Sequence, residues 1–225
     1  MIFITGDAHM PIDVSKLNSR RFPEQKQMTK EDYLIICGDY GGVWDGSREE
    51  HYWREWLESK KFTTLFVDGN HENFTMLHSY KVIDFCGGKA RRVSDSIYHL
   101  ERGQIFQLQG VSVFTMGGAD SRDRERRKEG KTWWSEELPS LEEIFCARHM
   151  LAQNSWRVDY VLTHCAPNSL QRQIAPSYPE NRLTDFLEEV KQKAEYRAWY
   201  FGHYHTDLSV DDRHTAAFNR IHRIV

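Results

Sequence analysis

The sequence predicts an α/β fold, and three observations predict it. Short apolar runs rich in β-branched and aromatic residues recur along the chain, closed by Gly, Asp, Asn or His. Stretches with helical spacing and capping signals lie between them. The two kinds alternate, as they do where helices cover sheets.

In chain order, residues 2–5 (IFIT), 33–37 (YLIIC), 64–67 (TLFV), 111–116 (VSVFTM), 160–163 (YVLT) and 198–201 (AWYF) read as strands. Runs this short and this continuously apolar suit strands buried on both faces. Weaker strand signals lie at residues 96–100, 103–108 and 216–224. A helix is predicted over residues 47–61. Ser47 and Glu50 form an S-x-x-E capping box, and the closing lysines suit the negative end of the helix dipole. Trp53, Trp56 and Leu57 are spaced to face the core. A second helix opens at Pro139 and runs to about residue 154, again with S-x-x-E at Ser140 and Glu143. The third, over residues 183–196, carries Leu183, Phe186, Leu187 and Val190 on one stripe. Residues 121–131 (SRDRERRKEGK) hold mixed charges and no apolar anchor. They read as an exposed loop or a frayed helix start. The expectation is one domain over residues 1–225 with a charged excursion at about 119–135.

Composition narrows the function classes. The chain has 225 residues, 40% apolar and 28% charged, which is the profile of a soluble globular protein. No apolar run approaches the roughly 18 residues of a membrane span. The opening MIFITGD has no basic segment and no cleavage site, so no secretory signal is read there. Four cysteines, none in a CxxC pair, point to a reducing cytoplasm and away from a zinc knuckle. Thirty basic against 33 acidic residues give no general electrostatic reason to bind nucleic acid, without excluding it.

The functional signal is where ligand-type side chains fall. Five strand-like runs are followed by Gly6-Asp7-Ala8-His9, Gly38-Asp39, Asp68-Gly69-Asn70-His71-Glu72, His164, and Gly202-His203-Tyr204-His205. In open α/β sheets ligands bind beyond the carboxyl ends of strands, so these residues are placed to converge. Asp7 and His9 are two apart, as are His203 and His205; in extended chain such pairs project to one side. Glycines before Asp7, Asp39, Asn70 and His203 permit tight turns and close backbone approach.

Two carboxylates (Asp7, Asp39), one carboxamide (Asn70) and four imidazoles (His9, His164, His203, His205) exceed what one tetrahedral ion takes. They suit two divalent cations sharing a carboxylate. Nitrogen and oxygen donors without thiolate suit Mn, Fe, Co, Ni or Zn and do not select one; manganese is the first choice. Two dications against two carboxylates leave a positive excess that attracts phosphate and acidifies a bridging water into a nucleophile. His71 is the candidate acid for the leaving oxygen, with Glu72 or Asp68 to hold its tautomer.

These linked motifs, G-D-x-H, G-D, G-N-H-E, a lone His and G-H-x-H in that order from Asp7 to His205, resemble the calcineurin-like metallophosphoesterase superfamily. The resemblance implies two mixed β-sheets packed as a sandwich and flanked by helices, four layers in all. It implies one metal on Asp7, His9, Asp39 and His205, and another on Asp39, Asn70, His164 and His203. Asp39 is then the bridge, and His71 the acid or phosphate contact. The second motif departs from the usual GDxxD: it reads Gly38-Asp39-Tyr40-Gly41-Gly42, without the trailing acid or the Arg of Ser/Thr phosphoprotein phosphatases. The chain looks more like the small bacterial or phage branch.

The function expected is hydrolysis of a phosphomonoester or phosphodiester on a small phosphorylated substrate or nucleotide, in the cytoplasm. Rival readings are a nuclease or cyclic-nucleotide phosphodiesterase, and a non-catalytic metal-binding scaffold. Arg122, Arg124, Arg126 and Arg127 follow a strand and Gly117-Gly118, so Arg122 and Arg124 are candidate substrate contacts; the alternative is a solvated loop. In Trp133-Trp134, Trp133 is a candidate to stack on a base, against the alternative that one ring packs in the core while its neighbour covers the loop. Asp13 and Asp45 read as loop acids.

Overall fold

Apolar runs too short for helices pair into two sheets in the computed structural model, which describes residues 1–225. The strands are β1 (Ile2–Thr5), β2 (Tyr33–Ile36), β3 (Thr63–Phe66), β4 (Val82–Phe85), β5 (Gly88–Ser94), β6 (Ile97–Leu100), β7 (Gln104–Leu108), β8 (Val111–Met116), β9 (Tyr160–Thr163), β10 (Ala198–Phe201), β11 (Leu208–Ser209), β12 (His214–Ala216) and β13 (His222–Arg223). The helices are α1 (Arg48–Glu58), α2 (Phe74–Leu77), α3 (Leu141–Gln153), α4 (Asn168–Ile174) and α5 (Arg182–Lys193).

The first sheet has the order β13-β1-β2-β3-β6-β5-β4, and the second β11-β12-β10-β9-β8-β7. In the first, β1, β2, β3 and β6 run parallel; in the second, β8, β9, β10 and β12 do. The remaining pairs are antiparallel, so both sheets are mixed. Three apolar layers account for the packing. Ile4, Ile35 and Leu65 of the first sheet meet Phe106, Val113 and Leu162 of the second in the middle layer. Leu34, Ile36 and Phe66 point outward under Leu57 of α1 and Phe74 of α2. Phe114, Val161 and Trp199 point outward under Ile144 of α3, Leu170 of α4 and Phe186 of α5. Each such side chain, fully buried, contributes roughly 1.5–3 kcal/mol. The result is the α/β sandwich of two mixed sheets with flanking helices. No helix is long and apolar enough to cross a membrane.

Local differences have physical causes. The helix expected to Lys61 stops at Glu58, so the lysines lie past its end, and Lys60 sits over the Trp56 ring at 3.4 Å. Ser47 caps α1 by accepting from the Glu50 N–H, but Glu50 does not complete the box. Its carboxylate takes the N–H groups of Trp44, Asp45 and Gly46. The box at Ser140 and Glu143 forms in full. The strand signal at residues 216–224 divides between β12 and β13 in different sheets. Asp207 turns the chain there, accepting from the N–H groups of Phe218, Asn219 and Arg220. The charged excursion is exposed over residues 122–126 and 128–132, with one short 3-10 turn at Arg124–Arg126, and is anchored by buried Ala119, Ser121 and Trp134. The β4–β5 hairpin is not evident in the sequence because the inward residues Gly88 and Ala90 are small and the alternation breaks at Arg92, where the register shifts.

Candidate active site

Parallel strands bring their carboxyl ends to one edge. In the first sheet β1, β2 and β3 lead into Asp7/His9, Asp39 and Asn70/His71. In the second, β9 and β10 lead into His164 and His203/His205. The register joins the sets across the sandwich: the His203 N–H donates to Asp7 Oδ1 at 3.0 Å, although 196 residues separate them.

Each carboxylate uses one oxygen to hold backbone and presents the other inward. Asp39 Oδ1 accepts from the His71 N–H at 2.8 Å. Asp39 Oδ2 lies 3.1 Å from His9 Nε2 and 3.4 Å from His164 Nε2. His164 Nε2 is also 3.4 Å from Asn70 Oδ1. Asp7 Oδ2 lies 3.1 Å from His205 Nε2 without hydrogen-bond alignment, leaving a buried oxygen with no donor. The ligand atoms of Asp7, His9, Asp39 and His205 all lie within 4.8 Å of one another. Asp7, Asp39, Asn70 and His164 are buried, and His205 is the exposed member.

Close approach explains two glycines. A Cβ on Gly69 would stand 2.0 Å from Asp39 Oδ1, and one on Gly202 would stand 2.2 Å from Asp7 Oδ1. Backbone strain gathers at the same edge. His9, Asp39, His203 and His205 all have positive φ (32°, 48°, 69° and 47°), a region that costs a side-chain-bearing residue about 1–3 kcal/mol. Hydrogen bonds from the His9 N–H to Asp39 O (2.8 Å) and from Lys16 Nζ to Asp7 O (2.6 Å) help to hold these turns.

Tautomers follow from acceptor-only partners. His164 Nδ1 faces Cys37 O at 2.8 Å, and His9 Nδ1 faces Asp13 Oδ2 at 2.8 Å, so both Nδ1 atoms carry the proton. The Nε2 lone pairs of both rings then face carboxylate oxygen. Opposed acceptors at these distances require positive charge between them, either a second proton or a cation. Proton affinities show the same demand. Burial opposes the His164 imidazolium, yet Asp39 beside it overrides this and lifts the ring to about 10. Burial would raise Asp39, but His164 and His9 hold it well below the usual carboxylate range. Burial and the neighbouring His164 push His203 down to about 3. Buried carboxylates, tautomer-fixed imidazoles and an orphaned oxygen are a donor set that fits divalent cations.

His71 stands at the rim, its ring edge-on to His9 at 5.4 Å between centroids. Burial lowers its pKa, and His9 and Arg127 add to this against the pull of Asp39. Neither acid expected to set its tautomer touches it. Glu72 is buried and accepts from the Tyr40 N–H; burial, with Asp39 nearby, raises it well above the usual range. Asp68 is taken by Arg102 and His99. A cavity of about 220 Å³ opens over Asp39, Asn70, His71 and His203, and Arg122, Arg127 and Tyr178 line its flank. The Arg122 guanidinium lies 4.6 Å from the Tyr178 ring centre. Arg124 pairs instead with Asp120 on the surface, and Trp133 bridges to Glu129 within the loop; neither lines the cavity. Trp134 is the core ring, edge-on to Trp44 and donating to Thr75.

Several contributors escaped the sequence reading. Asp13 is not a free loop acid, and its position four residues after His9 was the one available signal. Ser121 Oγ accepts from Asn70 Nδ2 at 3.2 Å, and Phe218 stacks on His205 at 5.0 Å and 17°. Ser121, Phe218 and Tyr178 carry no motif, and only the folded chain brings them near.

A search of curated proteins found no match to the chain. The family model of the calcineurin-like phosphoesterases matches residues 1–207. That span holds all seven donors and His71. The chain therefore belongs to the calcineurin-like phosphoesterase family, whose members are metal-dependent phosphoester hydrolases.

Proposed function

We propose that the chain hydrolyses a phosphomonoester or phosphodiester at a dinuclear centre. Asp7, His9, Asp39 and His205 would hold one cation, and Asp39, Asn70, His164 and His203 the other, with manganese preferred. The observation that carries this reading is Asp39. Its inward oxygen is flanked by His9 and His164, so a single carboxylate serves both donor groups. Bound divalent cations supply Lewis acidity toward phosphoryl oxygen and toward water.

The chain's own residues supply the rest. Asp13 and the Cys37 carbonyl keep Nε2 of His9 and His164 free to ligate. Arg122 and Arg127, on the flank of the cavity, bind phosphoryl oxygens through planar guanidinium groups. His71 at the rim carries a proton to the leaving oxygen. Acidic residues outnumber basic ones, which favours a small ester over long nucleic acid.

Hydrolysis of p-nitrophenyl phosphate, bis-p-nitrophenyl phosphate and an alkyl phosphate with added Mn²⁺ tests this reading. Asp39→Asn is expected to lose metal and activity together. His71→Ala is expected to keep its metal and lose about a hundredfold or more on the alkyl ester. The loss is smaller on p-nitrophenolate, which departs without a proton. Metal content of the purified variants separates the two roles. Absence of metal-dependent turnover of every ester would favour the scaffold reading, and preference for the diester would favour a phosphodiesterase.

A further inference from the structure

Beyond His71, on the side away from the arginines, the surface changes character. A recess of about 170 Å³ is lined by His9, Met10, Ile12, Gly41, Trp44 and His71. His71 also lines the cavity over Asp39, so the two spaces meet at its ring, and His9 is a candidate donor of the same centre. The other side chains of the recess are apolar. Ile12 is 76% exposed, a branched aliphatic side chain with nothing packed over it. Trp44 is held in place from behind, edge-on to the buried Trp134 at 5.5 Å. A second hollow of about 120 Å³ shares Met10, Gly41 and Trp44 and adds Asp45 and Glu49. Asp45 is ionised there, accepting from the Ser47 N–H at 2.8 Å. Arg122 and Arg127 line the cavity on the other side of His71 and do not line the recess. The centre therefore has one basic flank and one flank that is apolar near the site and acidic beyond.

We propose that this recess receives the organic group of the ester, and that this group is apolar or aromatic and carries no negative charge. The inference rests on the phosphoesterase reading and deepens it. The phosphoryl group lies over the donors with the arginines, and the alcohol portion crosses His71 into the recess. His71 lines both spaces, which puts its ring beside the bond between them. Burial of a ring against Trp44, Met10 and Ile12 favours an aromatic alcohol over a short one. Asp45 and Glu49 repel a second phosphate or a carboxylate at the far end.

Binding of non-hydrolysable phosphonates to the Mn²⁺-loaded protein, measured by calorimetry, reads the recess without turnover. Benzylphosphonate is expected to bind about tenfold or more tighter than ethylphosphonate. A para-carboxylate on the ring is expected to remove that gain. The corresponding phosphate esters are expected to rank the same way in kcat/KM. Trp44→Ala should bring benzyl and ethyl compounds together. Because Trp44 also contacts the core, Ile12→Lys provides the surface variant; it should improve the para-carboxybenzyl compound relative to the benzyl one. Equal binding of benzyl- and ethylphosphonate, or a carboxylate that costs nothing, overturns the proposal. Hydrolysis with no ranking removes the recess alone. Ranked binding without hydrolysis keeps the recess and removes the phosphoesterase reading, and absence of both removes the two together.

Discussion

Phe218 shows how a residue with no reactive group shapes a donor. Its ring stacks on His205, the most exposed of the site histidines, and Lys16 Nζ lies 5.2 Å from the centre of the same Phe218 ring. The backbone beneath is fixed independently by Asp207 and by the Thr5 hydroxyl, which donates to Phe218 O at 3.1 Å. Phe218→Ala thus removes the ring while the turn stays. The expected result is about tenfold weaker binding of one cation, the range in which outer contacts tune metal affinity. Phe218→Tyr should retain the stack and most of the affinity. Calorimetric titration of the metal-free protein with Mn²⁺ checks both. The family match ends at residue 207, so this support comes from outside the matched span.

The segment between β8 and α3 acts as a brace as well as a charged loop. Ser121 accepts from the Asn70 amide, and its own N–H donates to Glu137 Oε2 at 3.2 Å. The Glu137 carbonyl accepts from the Ala119 N–H at 3.0 Å, closing the loop on itself. Donation through Nδ2 leaves Asn70 Oδ1 aimed at His164. Ser121→Ala is expected to weaken the cation proposed on Asn70 and His164 by about tenfold, and Ser121→Thr to restore it; the same metal titration reports this. The strand ends were legible because each donor directly follows an apolar run, where sequence adjacency and spatial adjacency coincide. The brace was not, because Asn70 and Ser121 meet only when β3 and β8 come from opposite sheets. Arg124 and Arg127 are three apart in one charged run, and only the turn at Arg124–Arg126 decides that Arg127 faces the cavity.

Across the whole molecule, Asp68 joins the two sheets beneath the site. Its carbonyl accepts from the Gly118 N–H, just after β8, at 2.9 Å. Its carboxylate accepts from Arg102 Nε at 2.9 Å and faces His99 Nε2 at 3.0 Å. Burial would raise its pKa, but Arg102 and His99 hold it well below the ordinary aspartate value of 3.8. A depressed native pKa adds stability above that value and loses it as pH falls below, toward the native pKa. Urea unfolding at a series of pH values should show this loss in the wild type and a flatter dependence in Asp68→Asn. Asp68→Ala, which leaves Arg102 with Glu143 at 3.4 Å and the Glu136 carbonyl at 2.7 Å but without its two-point carboxylate contact, is expected to cost about 3 kcal/mol at neutral pH, the low end for a broken buried pair. The α/β class was readable from alternating strands and helices, and the sandwich only through the resemblance that the strand-end motifs carry, whereas this inner ion pair was not, since nothing in the sequence separates Asp68 from its neighbouring acids. The contact between Asp7 and the His203 N–H has a further consequence. During synthesis, the amino-terminal half of the nascent chain leaves the ribosome with Asp7, His9 and Asp39 but without their later partners. On the dinuclear reading proposed above, a complete centre forms only once His203 and His205 have emerged, which would place metal uptake among the last events in maturation.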